Sequence, residues 1–256
     1  MDSHTIKNTE KKSILESTIV TDIIVILDES GSMYKMGSEP VKSANAFLME
    51  QKKAQENDDG ATVTLVTFNT KSKRVIDNQK LSDINKINKS DYHPAGGTAL
   101  NDTVCPTIKS KLDSDKPNNV VLLIISDGKE NSSEIYTTED TRELIKFVEE
   151  KHSWKVIFMG ANIDTLAEGK KMNINASRCA QYDQKIPGDL LSLCRTASYQ
   201  VKNYRRSMSE RKFNVDLEIP SHINMKRVYT EPVDEKQKKI IVKDILTLRP
   251  IPLYRC

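Results

Sequence analysis

Five oxygen-bearing side chains stand beside glycine-containing turns at three places in the chain. Asp28, Ser30 and Ser32 occur in one short run, Thr98 follows two glycines, and Asp127 precedes another glycine. Carboxylate and hydroxyl oxygens are hard ligands, and they suit Mg²⁺ because it takes six oxygens in near-octahedral geometry. Two ionised aspartates balance one divalent charge, so neutral hydroxyls can fill coordination positions and leave the ion attractive to a further anion.

Other chemistry is less well supported by the same residues. Asp-x-Ser-x-Ser alone is common in polar surface turns, where Asp28 would only cap the following segment. Ser30 lacks the first glycine of a nucleophile elbow, and the glycine-rich phosphate loops and the H-E-x-x-H spacing are missing from the sequence. We therefore predict that the chain is not an enzyme. A magnesium-dependent phosphoester hydrolase or phosphotransferase remains the alternative, because an oxygen-lined metal can polarise a phosphoryl group.

Two apolar segments end directly at the aspartates of this set. Residues 19–27 are apolar and β-branched and run into Asp28, and residues 119–126 do the same before Asp127. Continuous apolar runs of this length indicate strands that are buried on both faces, as in a parallel sheet. Ligands of open α/β sheets bind beyond the carboxyl ends of the strands, so both aspartates are expected at one edge.

The rest of the pattern alternates between strands and helices. Apolar residues at helical spacing predict helices from about Glu39 and over 100–112, 141–150, 164–171 and 190–201, and further strands are expected at 61–67, 74–76, 156–159 and 177–181. This alternation predicts an α/β fold with a doubly wound, mostly parallel central sheet flanked by helices.

The composition of the chain changes at both ends of this unit. Residues 1–18 form a polar N-terminal segment, 19–210 hold the predicted α/β domain, and 211–256 form a short C-terminal extension. Within the extension, apolar residues alternate with polar ones from Phe213 to Ile219 in a strand-like pattern. We expect the extension to pack on the domain or on a partner.

The Asp28, Ser30 and Ser32 motif, the distant Thr98 and the later Asp127-Gly pair together resemble the metal-ion-dependent adhesion site of von Willebrand factor A domains. All five positions match, and the resemblance covers about residues 19–205. It implies a Rossmann-like fold and a bound Mg²⁺, with Mn²⁺ possible. The two serines and the threonine would be direct ligands, and the aspartates direct or water-mediated ones.

In that family the metal completes its coordination with an acidic side chain of a partner. The resemblance therefore implies a protein-binding module whose ligand supplies Asp or Glu. The second half, including the run WKVIFMGANIDT, is similar to stand-alone intracellular members from bacteria and viruses.

Charge and hydropathy limit the classes of protein to which the chain can belong. The 256 residues carry 39 basic and 36 acidic side chains, for a net charge of +3, which argues against a uniformly basic nucleic-acid binder. No apolar run approaches the ~20 residues of a membrane span, and the first residues lack the apolar stretch of a signal peptide. We expect an intracellular, cytoplasmic protein whose four cysteines are buried free thiols.

Three further features have two interpretations each. Glu29 is adjacent to the candidate ligands and could be catalytic, but strand geometry directs it away from them. His93 lies five residues before Thr98 and could line the metal face, but we expect a loop residue without a role. A basic cluster near the end of the last helix could bind an anionic partner or could be a solvated helix end whose cations complement the helix dipole. This basic cluster consists of Lys202, Arg205, Arg206, Arg211 and Lys212.

Overall fold

A six-stranded sheet forms the centre of the protein. The computed structural model describes residues 20–54, 61–114, 119–210 and 215–220. The strands are β1 (Thr21–Asp28), β2 (Thr62–Phe68), β3 (Ser72–Lys80), β4 (Asn119–Ser126), β5 (Lys155–Gly160) and β6 (Cys179–Gln181). Their order is β3-β2-β1-β4-β5-β6, and every pair is parallel except β2 with β3. The predicted doubly wound, mostly parallel sheet is confirmed.

Helices cover both faces of this sheet. They are α1 (Glu39–Lys53), α2 (Asn101–Leu112), α3 (Thr138–His152), α4 (Thr165–Lys171) and α5 (Asp189–Ser209), with short 3₁₀ turns at Gly31–Met36, Lys89–Asp91 and Ala176–Arg178. Helix α1 packs against α5, whereas α2 packs against α3 and α3 against α4. A capping side chain marks the start of α4, because the Asp164 side chain accepts the Ala167 N–H at 3.0 Å.

The two central strands are buried on both faces. Every residue of β1 is buried, and only the first residue of β4 is not. Ile24 and Ile26 belong to a cluster with Val104 of α2 and Ile145 of α3. Because side chains alternate along a strand, the equally buried Ile23 faces the opposite helical layer. The ends of β1 and β4 are therefore held rigidly by the core.

Two elements differ from the sequence-based prediction. Strand β3 covers nine residues instead of three, because it pairs along most of β2 as an exposed antiparallel edge. Residues 215–220 are not a strand, although the predicted alternation appears in the burial of Leu217 and Ile219. The Ile219 N–H donates to the Ser177 carbonyl at 2.7 Å, and this segment lies against the domain. Phe213 lies outside the described residues.

The chain divides into two units, Met1–Ser221 and His222–Cys256, and all described residues belong to the first. Cys105, Cys179 and Cys194 are buried free thiols, as expected, while Cys256 lies outside the described part. Among the helices of the described residues, none is both long and apolar enough to span a membrane.

Candidate metal centre

The candidate ligands meet where β1 and β4 end. These strands are neighbours in the sheet, with Leu27 paired to Ile125, so Asp28 and Asp127 follow at the same edge. Asp28 is 0% exposed and Asp127 is 2% exposed. The buried strands therefore fix both carboxylates in position before any ligand is bound.

Short contacts connect the candidate ligands. The Ser30 N–H donates to Asp28 Oδ1 at 2.7 Å, Ser30 Oγ lies 3.0 Å from Ser32 Oγ, and Ser32 Oγ donates to Asp127 Oδ1 at 2.5 Å. A Cβ added at Gly128 would lie 3.1 Å from Thr98 Oγ1 and 3.6 Å from Ser32 Oγ. The structure thus brings all five sequence-predicted side chains to one place, and Gly128 leaves room for the two hydroxyls.

Ser126, which the sequence analysis did not single out, supports Asp28. Its hydroxyl donates to Asp28 Oδ2 at 2.5 Å. Burial raises the pKa of Asp28 to about 6, against the opposing effect of hydrogen bonds from Ser126 and Ser30. A nearby cation would lower the cost of ionising this buried carboxyl.

The turn before Thr98 is anchored to the residues that follow β1. The Tyr92 hydroxyl donates to the Asp28 carbonyl at 2.6 Å, and the Glu29 side chain accepts the His93 N–H. The Ala95 N–H donates to the Glu29 carbonyl at 2.9 Å. Glu29 is therefore a structural residue that holds this turn, and His93 contributes its backbone to the same contact.

Residues after β4 hold Thr98 itself. Asn131 Oδ1 accepts the Thr98 N–H at 2.9 Å, and the Asn131 N–H donates to the Thr98 carbonyl at 3.1 Å. A Cβ at Gly97 would lie 1.9 Å from Ser132 Oγ and 2.9 Å from Asn131 Oδ1, so a larger residue would displace the side chains that hold Thr98. The polar run from Glu130 to Ser133 was the only available sequence signal for this interaction.

Gln184 reaches the site from the loop between β6 and α5. Its Nε2 donates to Asp127 Oδ2, and its Oε1 accepts the Asn162 Nδ2–H at 2.5 Å. Asp127 is thus held through one oxygen by Ser32 and through the other by Gln184. Nothing in the local sequence distinguishes Gln184 from other polar loop residues, so the sequence analysis missed it.

The donor set suits a small oxygen-preferring cation. It combines two carboxylates with three hydroxyls. No group of three or more His, Cys, Asp or Glu side chains that could hold a metal occurs in the described ranges. A site at this edge would consequently depend on the hydroxyls, a combination that fits Mg²⁺ or Mn²⁺ and not a soft-ligand site.

The predicted basic cluster is not a continuous surface. Arg205 is 6% exposed, and its Nη1 donates to Gln51 Oε1 at 3.0 Å between α1 and α5. Arg206 pairs with Glu210 at 2.9 Å. Arg211 and Lys212 lie outside the described residues. The interpretation as an anionic-partner site is corrected for Arg205, because helical spacing turns that side chain toward α1.

The fold and the site together define a doubly wound α/β domain with a cluster of oxygen-bearing side chains at the ends of its central strands. The family model of the von Willebrand factor type A domain matches residues 22–184, and the chain belongs to this family. No curated protein sequence shows significant similarity to the chain.

Several solved structures are similar to this fold. The D319A mutant of the PilB minor pilin from Streptococcus sanguinis has a TM-score of 0.55 and 12% identity, covering 75% of this chain and 63% of that one. A von Willebrand factor type A protein from Catenulispora acidiphila has a TM-score of 0.52 and 18% identity, covering 72% and 43%. Proximal thread matrix protein 1 from the mussel byssus has a TM-score of 0.50 and 16% identity, covering 69% and 46%. This chain thus spans less than two thirds of each of these structures.

Proposed function

We propose that this chain is a divalent-metal-dependent protein-binding module. Ser30, Ser32 and Thr98 would hold the metal through their hydroxyls, and Asp28 and Asp127 would hold it directly or through water. The observation that carries this proposal is the contact of Ser32 Oγ with both Ser30 Oγ, at 3.0 Å, and Asp127 Oδ1, at 2.5 Å. Oxygens from the loops after β1 and β4 meet at that point, and a Cβ at Gly128 would contact both Ser32 Oγ and Thr98 Oγ1 from the third loop.

The metal would be Mg²⁺ or Mn²⁺, and it would supply a positive centre for an acidic side chain of the partner protein. The three hydroxyls are neutral, so they would fill coordination positions without reducing the attraction of the ion for a further carboxylate. A partner Asp or Glu would therefore gain affinity by completing the coordination.

Phosphoester chemistry at the same metal is less well supported. The carboxylate nearest in sequence to the ligands, Glu29, is 8% exposed and accepts the His93 N–H. It is therefore engaged in holding the turn and is poorly placed to activate a nucleophile.

The domain bounds 19–210, the intracellular location and the similarity to stand-alone bacterial and viral members stay predictions from the sequence.

The proposal is tested by affinity capture with the immobilised chain in Mg²⁺ and in EDTA. We expect partner proteins that are retained in Mg²⁺, released by EDTA and lost with Asp28→Ala, while the exposed control Asp83→Ala retains them. Circular dichroism melting checks that the Asp28 variant is folded. Capture that neither EDTA nor Asp28→Ala changes would overturn this function, even though the fold stands.

A further inference from the structure

A basic groove lies on the outer surface of α1. It is bounded by α1, by the segment 84–86 and by the first turns of α5, and its volume is about 770 Å³. Among the described residues, its charged lining consists of Lys42, Lys52, Lys53, Lys86 and Arg195, with Glu50 as the one carboxylate. This groove, here called the α1 groove, shares no residue with the candidate metal centre.

The walls of the α1 groove are fixed by hydrogen bonds. Asn45 Nδ2 donates to the Ile87 carbonyl at 2.9 Å, and Asn45 Oδ1 accepts the Ile87 N–H at 2.8 Å. Lys52 Nζ donates to the Ile84 carbonyl at 2.8 Å. On the other side, Gln51 Nε2 donates to the Ser198 carbonyl at 2.6 Å and ties α1 to α5. The groove is therefore formed before any partner arrives.

The floor of the α1 groove is apolar. Ala46 and Met49 of α1, Ile84 and Leu191 line it between the cations. A smaller groove continues along the same helices, shares Glu50 and Lys53 with the first, and adds Lys202. Both surfaces therefore combine apolar side chains with positive charge.

The charge of this surface is a local property. Residues 1–201 carry 26 basic and 29 acidic side chains, so the part of the chain that forms the α1 groove is slightly acidic as a whole. Five cations against one carboxylate in a single groove is thus a concentration of charge within that part. Such a field attracts anionic partners and orients them before contact.

We propose that the α1 groove binds an acidic amphipathic helix of a partner protein. Apolar side chains of that helix would contact Met49 and Leu191, and its flanking Asp or Glu side chains would face the lysines. A single-stranded nucleic acid fits less well, because no aromatic side chain for base stacking occurs among the described residues that line the α1 groove, and Tyr199 lines only the smaller one.

The test uses a fluorescein-labelled 18-residue peptide of leucine and glutamate with leucines at i, i+3, i+4 and i+7. Anisotropy titrations are compared with a scrambled peptide of the same composition and with an oligothymidine of the same length. All titrations contain EDTA, so that the result is independent of the metal centre. Affinity should fall as salt is raised, because exposed charges are screened within about 10 Å at 0.1 M salt.

A triple variant reverses charge in the groove: Lys42→Glu, Lys53→Glu and Lys86→Glu. Its control reverses three exposed lysines of α3 and α4: Lys146→Glu, Lys151→Glu and Lys170→Glu, which gives the same net charge. We expect the groove variant to lose about tenfold or more in affinity and the control less than about twofold. Met49→Asp should weaken binding without removing a cation.

Four results would overturn the proposal. The first is equal binding of the scrambled peptide, which means that charge alone attracts the probe. The second is tighter binding of the oligothymidine, which means that the surface suits nucleic acid. The third is an equal effect of the two triple variants. The fourth is the absence of saturable peptide binding to the wild type; a gain of binding in Glu56→Gln/Asp58→Asn/Asp59→Asn would then mean that acidic residues of this chain occupy the groove.

Discussion

At the scale of single residues, the position of Asp28 depends on a hydroxyl that is not itself a candidate ligand. Ser126 Oγ donates to Asp28 Oδ2, while the Ser30 N–H donates to Asp28 Oδ1. A fully buried carboxylate needs such donors because it has lost its hydration. Mutation of a group that holds a metal ligand in this way typically lowers metal affinity by about 10- to 100-fold.

Ser126→Ala should therefore weaken Mg²⁺ binding by about tenfold while leaving every candidate ligand in place. The measurement is isothermal titration calorimetry with Mg²⁺. Ser43→Ala is a matched control, because Ser43 Oγ is buried and has no hydrogen-bond partner among the described residues. Equal affinities for the Ser126 variant and the wild type would contradict the role given to this hydroxyl.

The sequence was sufficient to choose the five candidate ligands, but it did not identify the residues that position them. Asp28 and Asp127 could be located because each ends an apolar run. Ser126, Asn131 and Gln184 act through contacts between segments 33 to 98 positions apart in the chain. Polar residues in loops do not reveal such contacts by type or spacing.

At the scale of elements, the loop before α3 is held by the first turn of α2. Asp102 accepts backbone N–H groups from Glu134, Ile135 and Tyr136, the shortest at 2.7 Å. Desolvation opposes ionisation of Asp102, but these three bonds outweigh it and lower its pKa below 3.8. The same loop carries Asn131, which holds Thr98, so its order matters for the candidate metal centre.

Asp102→Ala should reduce stability at pH 7, and the difference from wild type should shrink in acid. The direction of this pH dependence follows from the lowered pKa of Asp102, because the unfolded chain takes up the proton at a higher pH than the folded chain does. The stabilisation by Asp102 is therefore complete above the ordinary pKa of 3.8. It is lost as the pH falls through the lower pKa of the folded state. Urea denaturation at pH 7 and near pH 3 measures this. Asp113→Ala, at the other end of α2, is the exposed control measured at both pH values.

Elements were predicted more reliably than their contacts. The strands β1 and β4 and the helix at Glu39 followed from apolar runs and helical spacing, since burial demands those patterns. Within the predicted strand-like alternation, the described residues 215–219 form no strand, because burial of Leu217 and Ile219 produces the same period without continuous pairing. An alternating apolar pattern indicates which side chains are buried. Whether the segment is a strand depends on backbone hydrogen bonds to a neighbouring segment, which the pattern does not show.

At the scale of the whole molecule, the segment 215–220 packs on the domain and extends its buried surface beyond α5. Leu217 and Ile219 are 1% and 2% exposed. Asp216 pairs with Lys155 at 2.7 Å and lies 3.7 Å from the buried Arg178. Residues 215–220 of the predicted extension thus contact the domain, while the bounds 19–210 stay a prediction.

Leu217→Ala should lower the free energy of unfolding by about 2–5 kcal/mol, because it removes buried apolar surface and leaves a cavity. Val215→Ala is the control in the same segment, since Val215 is 41% exposed and its replacement should change stability by less than about 0.5 kcal/mol. Chemical denaturation of the full chain measures both. Equal stabilities of the two variants would mean that the segment does not pack stably.

The most direct test of the metal centre is calorimetric titration of the full chain with Mg²⁺ and with Mn²⁺. The wild type should bind one ion per chain. Asp127→Ala and Ser32→Ala should each abolish or strongly weaken that binding, while Asp113→Ala should bind as the wild type does. Undiminished binding in both Asp127→Ala and Ser32→Ala, or no binding to a folded wild-type chain, would contradict the claim that the five residues form one divalent metal site.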